Sequence, residues 1–168
     1  HILVNNAGYY GKKRDALEEV DLDDLRRAFE INTLGPLRMV RALLGQLQLA
    51  PSALAVHITS LMGSIEDNTS GGSYGYRVSK AALNMLNRNL GHDLAGRGVI
   101  SVAMHPGWVR TDMGGAGAPL GVSEAVAEMI AAIEKLNPGD TGLLAGLRVL
   151  LQKCGRTATT LVVLRQAA

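Results

Sequence analysis

Three short, mainly apolar stretches, at residues 2–4, 53–58 (loosely alternating) and 99–104, each break off at turn-forming or small polar residues, and stretches with helical spacing separate them. Continuous apolar runs of this length read as strands buried on both faces. Strands that alternate with helices wind, by the right-handed crossover rule, into a parallel sheet covered on both sides. The expected fold class is therefore α/β, a doubly wound parallel sheet. Ligands of such sheets sit at the carboxyl ends of the strands. Function is accordingly sought at Asn5-Asn6-Ala7-Gly8, at Ser60 and at Pro106-Gly107.

A chain of 168 residues with 47% hydrophobic and 19% charged residues suits one domain with a real core, not a disordered tail. The net charge of +2 is too small to indicate a nucleic acid or an anionic membrane as partner. No apolar run approaches the roughly 20 residues that span a bilayer. The lone Cys154 excludes an internal disulfide framework and a cysteine zinc site, and it fits a reducing, cytoplasmic setting. His1, His57, His92 and His105 are scattered without metal-ligand spacing, so no metal is expected; His57 and His105, near strand ends, read as core residues or as supports of the site. No Gly-x-Ser-x-Gly elbow marks a serine hydrolase. His1 opens directly into a strand, as if the chain began partway through a protein.

Asp21 is a good N-cap for a helix running from Leu22 to about Leu49, strained between Asn32 and Pro36 because proline has no N–H to donate. A second helix is predicted from about Tyr74 to Ala95, and Ser123 is expected to cap another that ends near Leu136. Lys12-Lys13-Arg14 reads as a solvated turn or, alternatively, as a phosphate clamp.

Tyr76 and Lys80 are four apart on a predicted helix and share one face. A phenol near pKa 10 is a poor acid–base group at neutral pH, and an ammonium one turn away pulls it down. By itself the spacing is weak evidence, and a surface Tyr and Lys is the simpler reading of it. Ser60 lies just past a strand, in the loop placed over the start of that helix; it could orient a substrate oxygen or simply close a turn. Asn32, in mid-helix, marks either a distortion able to hold a water or an exposed polar position. Asn6, Ala7 and Gly8 offer polar groups and little bulk at one strand end, as do Pro106, Gly107, Val109 and Thr111 at another.

Taken in this order, N-N-A-G, helix Asn, Ser, Y-x-x-x-K and P-G-x-x-x-T, the chain resembles the short-chain dehydrogenase/reductase family over about residues 1–142. Residues 62–85 look closest to its C-factor and sniffer-like carbonyl reductases. The resemblance implies a Rossmann-like domain that transfers hydride between NADP or NAD and a small carbonyl or alcohol substrate. Tyr76 would be the acid–base group, Lys80 its electrostatic partner and the holder of the cofactor ribose, Ser60 the carbonyl orienter and Asn32 a water anchor. Asn6, Ala7, Gly8, Pro106, Gly107, Val109 and Thr111 would line the cofactor, and the glycine-rich segment 114–121 would be a mobile cover.

Two features depart from the family. The first strands and the glycine-rich turn that meets the pyrophosphate precede the motifs carried here, so the choice between NAD and NADP is not legible. Residues 143–168 show no family pattern and are expected to be a divergent segment; residues 145–150 are compatible with a neighbouring reading frame spelling Leu-Asp-Tyr-Gly-Ser. The reading is thus the catalytic part of a carbonyl reductase. The alternatives are a non-catalytic signalling or interaction protein on the same fold, or an inactive truncated fragment. A homodimer through the helices at 22–49 and 74–95 is also expected, since family members commonly pair there.

Overall fold

The computed structural model describes residues 1–13 and 15–146. Four parallel strands lie in the order β1 (Ile2–Asn5), β2 (Ala53–Ile58), β3 (Val99–His105) and β4 (Leu144–Gly146). The connecting helices are α1 (Leu22–Phe29), α2 (Gly35–Gln48), α3 (Tyr74–Leu94) and α4 (Val122–Ile133). The parallel α/β expectation holds.

Strand alternation sorts the core into two layers. Val56, Ile100, Val102 and Met104 pack with Met129, Ala132 and Ile133 of α4. On the other face Ala53, Ala55 and Val99 meet Val40 and Leu47 of α2 and Leu90 and Leu94 of α3. That second face is built of small residues, which lets the two helices settle close to the sheet. Leu3 joins it, whereas Ile2 and Val4 point to the opposite side, where both are at least half exposed.

The expected single helix over 22–49 is instead two α-helices around a wider π-helical turn, Glu30–Leu34. The Gly35 N–H reaches five residues back, to the Glu30 carbonyl. Pro36 has no N–H and cannot close the ordinary four-residue bond to the Asn32 carbonyl. The extra residue turns both Asn32 and Thr33 into the interior. Thr33 Oγ1 donates to the Ser79 carbonyl at 2.8 Å, tying the turn to α3.

Three boundaries differ from the sequence reading. Gly121, not Ser123, precedes α4, without a side-chain cap, and the helix ends at Ile133. The segment after Gly142, which carries no strand pattern in the sequence, begins with β4, paired in register with residues 103–105. The remainder of the segment expected to diverge, from residue 147, lies outside the described residues.

A buried polar ladder crosses the sheet beneath α3. Asn87 Nδ2 donates to the Leu143 carbonyl at 2.9 Å, and Ser101 Oγ donates to Asn87 Oδ1 at 2.9 Å. With its proton committed, Ser101 Oγ accepts from His57 Nε2 at 3.1 Å. His57 Nδ1 is then the acceptor for Asn5 Nδ2, 3.0 Å away at the end of β1. His57 is neutral here, its pKa lowered to about 4 by burial.

Candidate active site

The carboxyl ends of β1, β2 and β3 converge on the first turns of α3, and the candidate residues gather there. Ser60 follows β2 and caps a short turn, Leu61–Gly63, with Oγ accepting the Met62 N–H at 3.1 Å. The turn role considered for Ser60 is therefore real, and it leaves the hydroxyl beside the Tyr76 phenol, whose pKa it pulls down. Gly63 permits this approach: a Cβ there would lie 2.7 Å from the Lys80 carbonyl carbon.

Tyr76 is 8% exposed and Lys80 3% exposed. Lys80 Nζ donates to the Ile58 carbonyl at 2.7 Å and lies 5.7 Å from the centre of the Tyr76 ring. Burial lowers Lys80 to about 8. Burial also raises the Tyr76 phenol above its usual range, with the Ser60 hydroxyl acting against it and Tyr10 adding to it. The downward pull expected of Lys80 is not among these influences: Ser60 alone lowers the phenol, and desolvation dominates.

Asn32, 1% exposed, uses its whole side chain as a clamp. Oδ1 accepts the Tyr9 N–H at 2.8 Å, while Nδ2 donates to the Tyr9 carbonyl at 2.7 Å and to Ser79 Oγ at 2.9 Å. Any water would have to be held by its backbone carbonyl, the group that Pro36 leaves without its ordinary donor.

Asn6, Ala7 and Gly8 are exposed at the end of β1. Across from them, Pro106 and Gly107 leave β3, with Gly107 at φ +84° and so close to Leu120 that a Cβ would collide with it. Val109 bridges to Leu120, and Thr111 Oγ1 accepts the Gly114 N–H at 3.1 Å. The segment expected to be a cover is folded back on this strand end. Trp108 Nε1 donates to the Gly114 carbonyl at 2.9 Å, and Arg110 donates to the carbonyls of Ala118 and Pro119. It also meets the loop after β1, where the Met113 methyl would lie 3.7 Å from a Cβ at Gly8.

Three contributors escaped the sequence reading. Asp15 accepts the Tyr74 N–H at 3.3 Å, capping α3 from 59 residues away. Ser73, just before α3, adopts the left-handed backbone at φ 50°. Tyr10 stacks on Tyr76 with ring centres 4.4 Å apart. Only Tyr10 left a signal, an aromatic side chain directly after the first strand end. Of the basic run, Lys12 pairs with Asp21 at 3.9 Å and Lys13 lies over the Tyr10 ring, while Arg14 is outside the described residues.

Residues 1–118 match the family model of the short chain dehydrogenases. The chain belongs to that family. Like other short chain dehydrogenases it is a member of a family of oxidoreductases. It is 48% identical over 141 residues to the C-signal protein of Myxococcus xanthus, covering 84% of each chain. It is 42% identical over 132 residues to a 1-hydroxy-2-glutathionyl-2-methyl-3-butene dehydrogenase of Rhodococcus, covering 76% of this chain and 58% of that one. The fold superposes on the carbonyl reductase Sniffer of D. melanogaster with TM-score 0.82 at 34% identity, covering 87% of this chain and 63% of Sniffer. An NADPH-bound carbonyl reductase from chicken fatty liver gives TM-score 0.81 at 34% identity, covering 87% and 62%. The chain therefore spans about three fifths of these two structures. No helix among the described residues is long and apolar enough to cross a membrane, and no cluster of potential metal ligands occurs among them.

The residues present fit a nicotinamide cofactor. Gly8 presents backbone with no Cβ between Asn32 and Met113, so a flat ligand can approach closely. The Lys80 ammonium has three N–H groups, one of them donated to the Ile58 carbonyl, so it has the capacity to donate to a ligand hydroxyl as well.

Proposed function

We propose that the protein is an NAD(P)-dependent reductase of small carbonyl compounds, acting in reverse on the matching alcohols. The observation that carries this reading is the meeting of Tyr76, Ser60 and Lys80 in one buried corner at the strand ends. NADP is the favoured cofactor, because the chicken carbonyl reductase, similar in fold and sequence, holds NADPH. Asn6, Ala7, Gly8, Pro106, Gly107, Val109 and Thr111 would line it, and Lys80 would hold its ribose. When bound, the cofactor supplies or accepts the hydride.

The chain's own residues handle the proton. Ser60 donates a hydrogen bond to the carbonyl oxygen, holding it beside the Tyr76 phenol. Tyr76, kept protonated at neutral pH by its burial, gives that proton to the oxygen as negative charge develops on it. Lys80 places a positive charge near the resulting phenolate, and the Asn32 carbonyl holds a water through which the proton is replaced. Asn32 also fixes Tyr9, keeping the loop after β1 against α3. Reprotonation from solvent then restores Tyr76.

The experiment is reductase activity of the full-length protein with NADPH and NADH against a panel of aldehydes and ketones. Turnover that disappears in Tyr76→Phe supports the reading; no turnover with any panel member overturns it. The similarity to C-signal favours a second reading, a signalling or interaction protein on the same scaffold. In that case partner binding would survive Tyr76→Phe and no carbonyl would be reduced.

A further inference from the structure

Tyr10 belongs to none of the motifs above, yet it touches Tyr76, the turn that Ser60 caps and the residue that leads into α3. Its ring lies nearly flat on the Tyr76 ring, 4.4 Å between centres and 19° between planes. Its hydroxyl lies 3.4 Å from the sulfur of Met62, in the turn that Ser60 caps. The same hydroxyl is 3.4 Å from Ser73 Oγ, on the residue through which the chain enters α3. Lys13 Nζ stands over the Tyr10 ring, 5.4 Å from its centre.

We propose that Tyr10 is the positioning residue for Tyr76, holding the phenol in plane and in place beside Ser60. This rests on the reductase reading above. Helix α3 fixes the Tyr76 backbone but leaves the ring two rotatable bonds. A second ring stacked on it restricts both, because turning either bond gives up the ring contact. The tip of a side chain is where small errors matter, since a misplacement of about 1 Å at reacting atoms costs on the order of 100-fold in rate.

The stack also covers the phenol. Among the described residues, Lys80 on its own helix and Tyr10 from the loop after β1 are the titratable groups shown against the Tyr76 ring; Lys13 lies over Tyr10, and the Asp15 carboxylate accepts the Tyr74 N–H. Tyr10 keeps water from one face of the ring and adds its own unfavourable interaction with a phenolate. Reduction needs Tyr76 protonated, so Tyr10 extends the working range towards alkaline pH. Removing its ring admits water, stabilises the phenolate and moves the alkaline limb to lower pH.

The test compares Tyr10→Ala, Tyr10→Leu and Tyr10→Phe in the full-length protein, with NADPH and benzaldehyde or another carbonyl that the wild type reduces. Tyr10→Ala should lower kcat roughly 10- to 100-fold, leave the KM for NADPH unchanged and move the alkaline limb down by about half a pH unit. Tyr10→Leu, which keeps apolar bulk without a plane, should lose kcat in the same direction and guards against simple misfolding. Tyr10→Phe, which keeps the stack and its cover but loses the hydroxyl, should recover most of the rate and most of the limb's position. An unchanged rate and limb in Tyr10→Ala would overturn the proposal. So would a fall in kcat with an unmoved limb, or equal losses in Phe and Ala. If Tyr76→Phe kept full activity, the reductase mechanism itself would fall and the proposal with it; with Tyr76→Phe inactive, the Tyr10 outcomes bear on the proposal alone.

Discussion

Gly63 and Lys80 are in backbone contact: a Cβ at residue 63 would stand 2.7 Å from the Lys80 carbonyl carbon and 2.9 Å from its carbonyl oxygen. This approach carries the turn after β2 onto α3, and with it Ser60 onto Tyr76. Asn84 Nδ2 secures the same junction by donating to the Gly63 carbonyl at 3.3 Å. Gly63→Ala should force the turn and the helix apart. Overpacking of this kind costs about 1–3 kcal/mol. A lowered melting temperature together with a fall in kcat is the expected pair; a melting temperature equal to wild type would show that the junction yields freely.

Tyr76→Phe keeps the ring and its stack on Tyr10 and removes only the proton donor. Reduction should fall by roughly 100- to 10,000-fold, the range general acid catalysis supplies. NADPH affinity, measured by fluorescence titration, should stay within a few-fold of wild type. A rate loss below about tenfold would remove Tyr76 from the role of acid.

Lys80→Ala is expected to damage two steps together. It removes the cation beside Tyr76 and the donor assigned to the ribose, so both kcat and cofactor affinity should drop. If titration found affinity intact while the rate fell, the ribose contact would be wrong. Lys80→Met, nearly isosteric and apolar, separates this from loss of packing.

Stability should weaken on the acid side, and the His57 ladder sets the direction. Folded His57 has its pKa lowered to about 4 from an ordinary 6.5. Between those values the unfolded chain binds more protons, so stability is complete above about pH 6.5 and is lost as pH falls towards 4. His105 is shifted the same way, also to about 4. A shift of this size corresponds to about 3 kcal/mol for one group. Protonated His57 would present an N–H to the Asn5 amide donor, breaking the ladder at β1. His57→Asn should be less stable than wild type at neutral pH and show a shallower decline between pH 6.5 and 4 in denaturant titrations. An unchanged slope would place the acid sensitivity elsewhere.

Strand and helix positions were largely legible because the apolar runs at β2 and β3 and the helical spacing of α3 are local patterns. The meeting of Ser60, Tyr76 and Lys80 followed from spacing and from where parallel sheets bring their strand ends. What escaped is non-local or too short to pattern. Asp15 caps α3 across 59 residues, and nothing in its own neighbours marks it as a cap. The stretch Leu144–Gly146 is three residues long, too few for an alternation to register. Pro36 signalled strain correctly, but whether a helix breaks, kinks or widens there depends on Asn32 and Thr33 finding partners on Tyr9 and Ser79.

Self-association through α2 and α3 remains a proposal supported by exposed apolar side chains. Met39 on α2 and Val78 and Met85 on α3 are each about half exposed. Light scattering of the full-length protein should give a dimer, and Met85→Glu should convert it to a monomer with its reductase activity per chain measured alongside. A monomer at high micromolar concentration, unaffected by Met85→Glu, would dispose of the interface.

The π-helical turn at Glu30–Leu34 also changes how the helix must be numbered. One extra residue in a ladder rotates everything after it by about 100° relative to an unbroken helix. Leu25 and Leu37 therefore follow different phases, and a helical wheel drawn continuously from 22 to 48 assigns the wrong inner face to one half. A deletion of one residue within 30–34 would bring the two halves into a single phase. It would do so by turning Asn32 away from Tyr9, releasing the loop that carries Asn6, Ala7 and Gly8 while leaving the helix, by circular dichroism, intact.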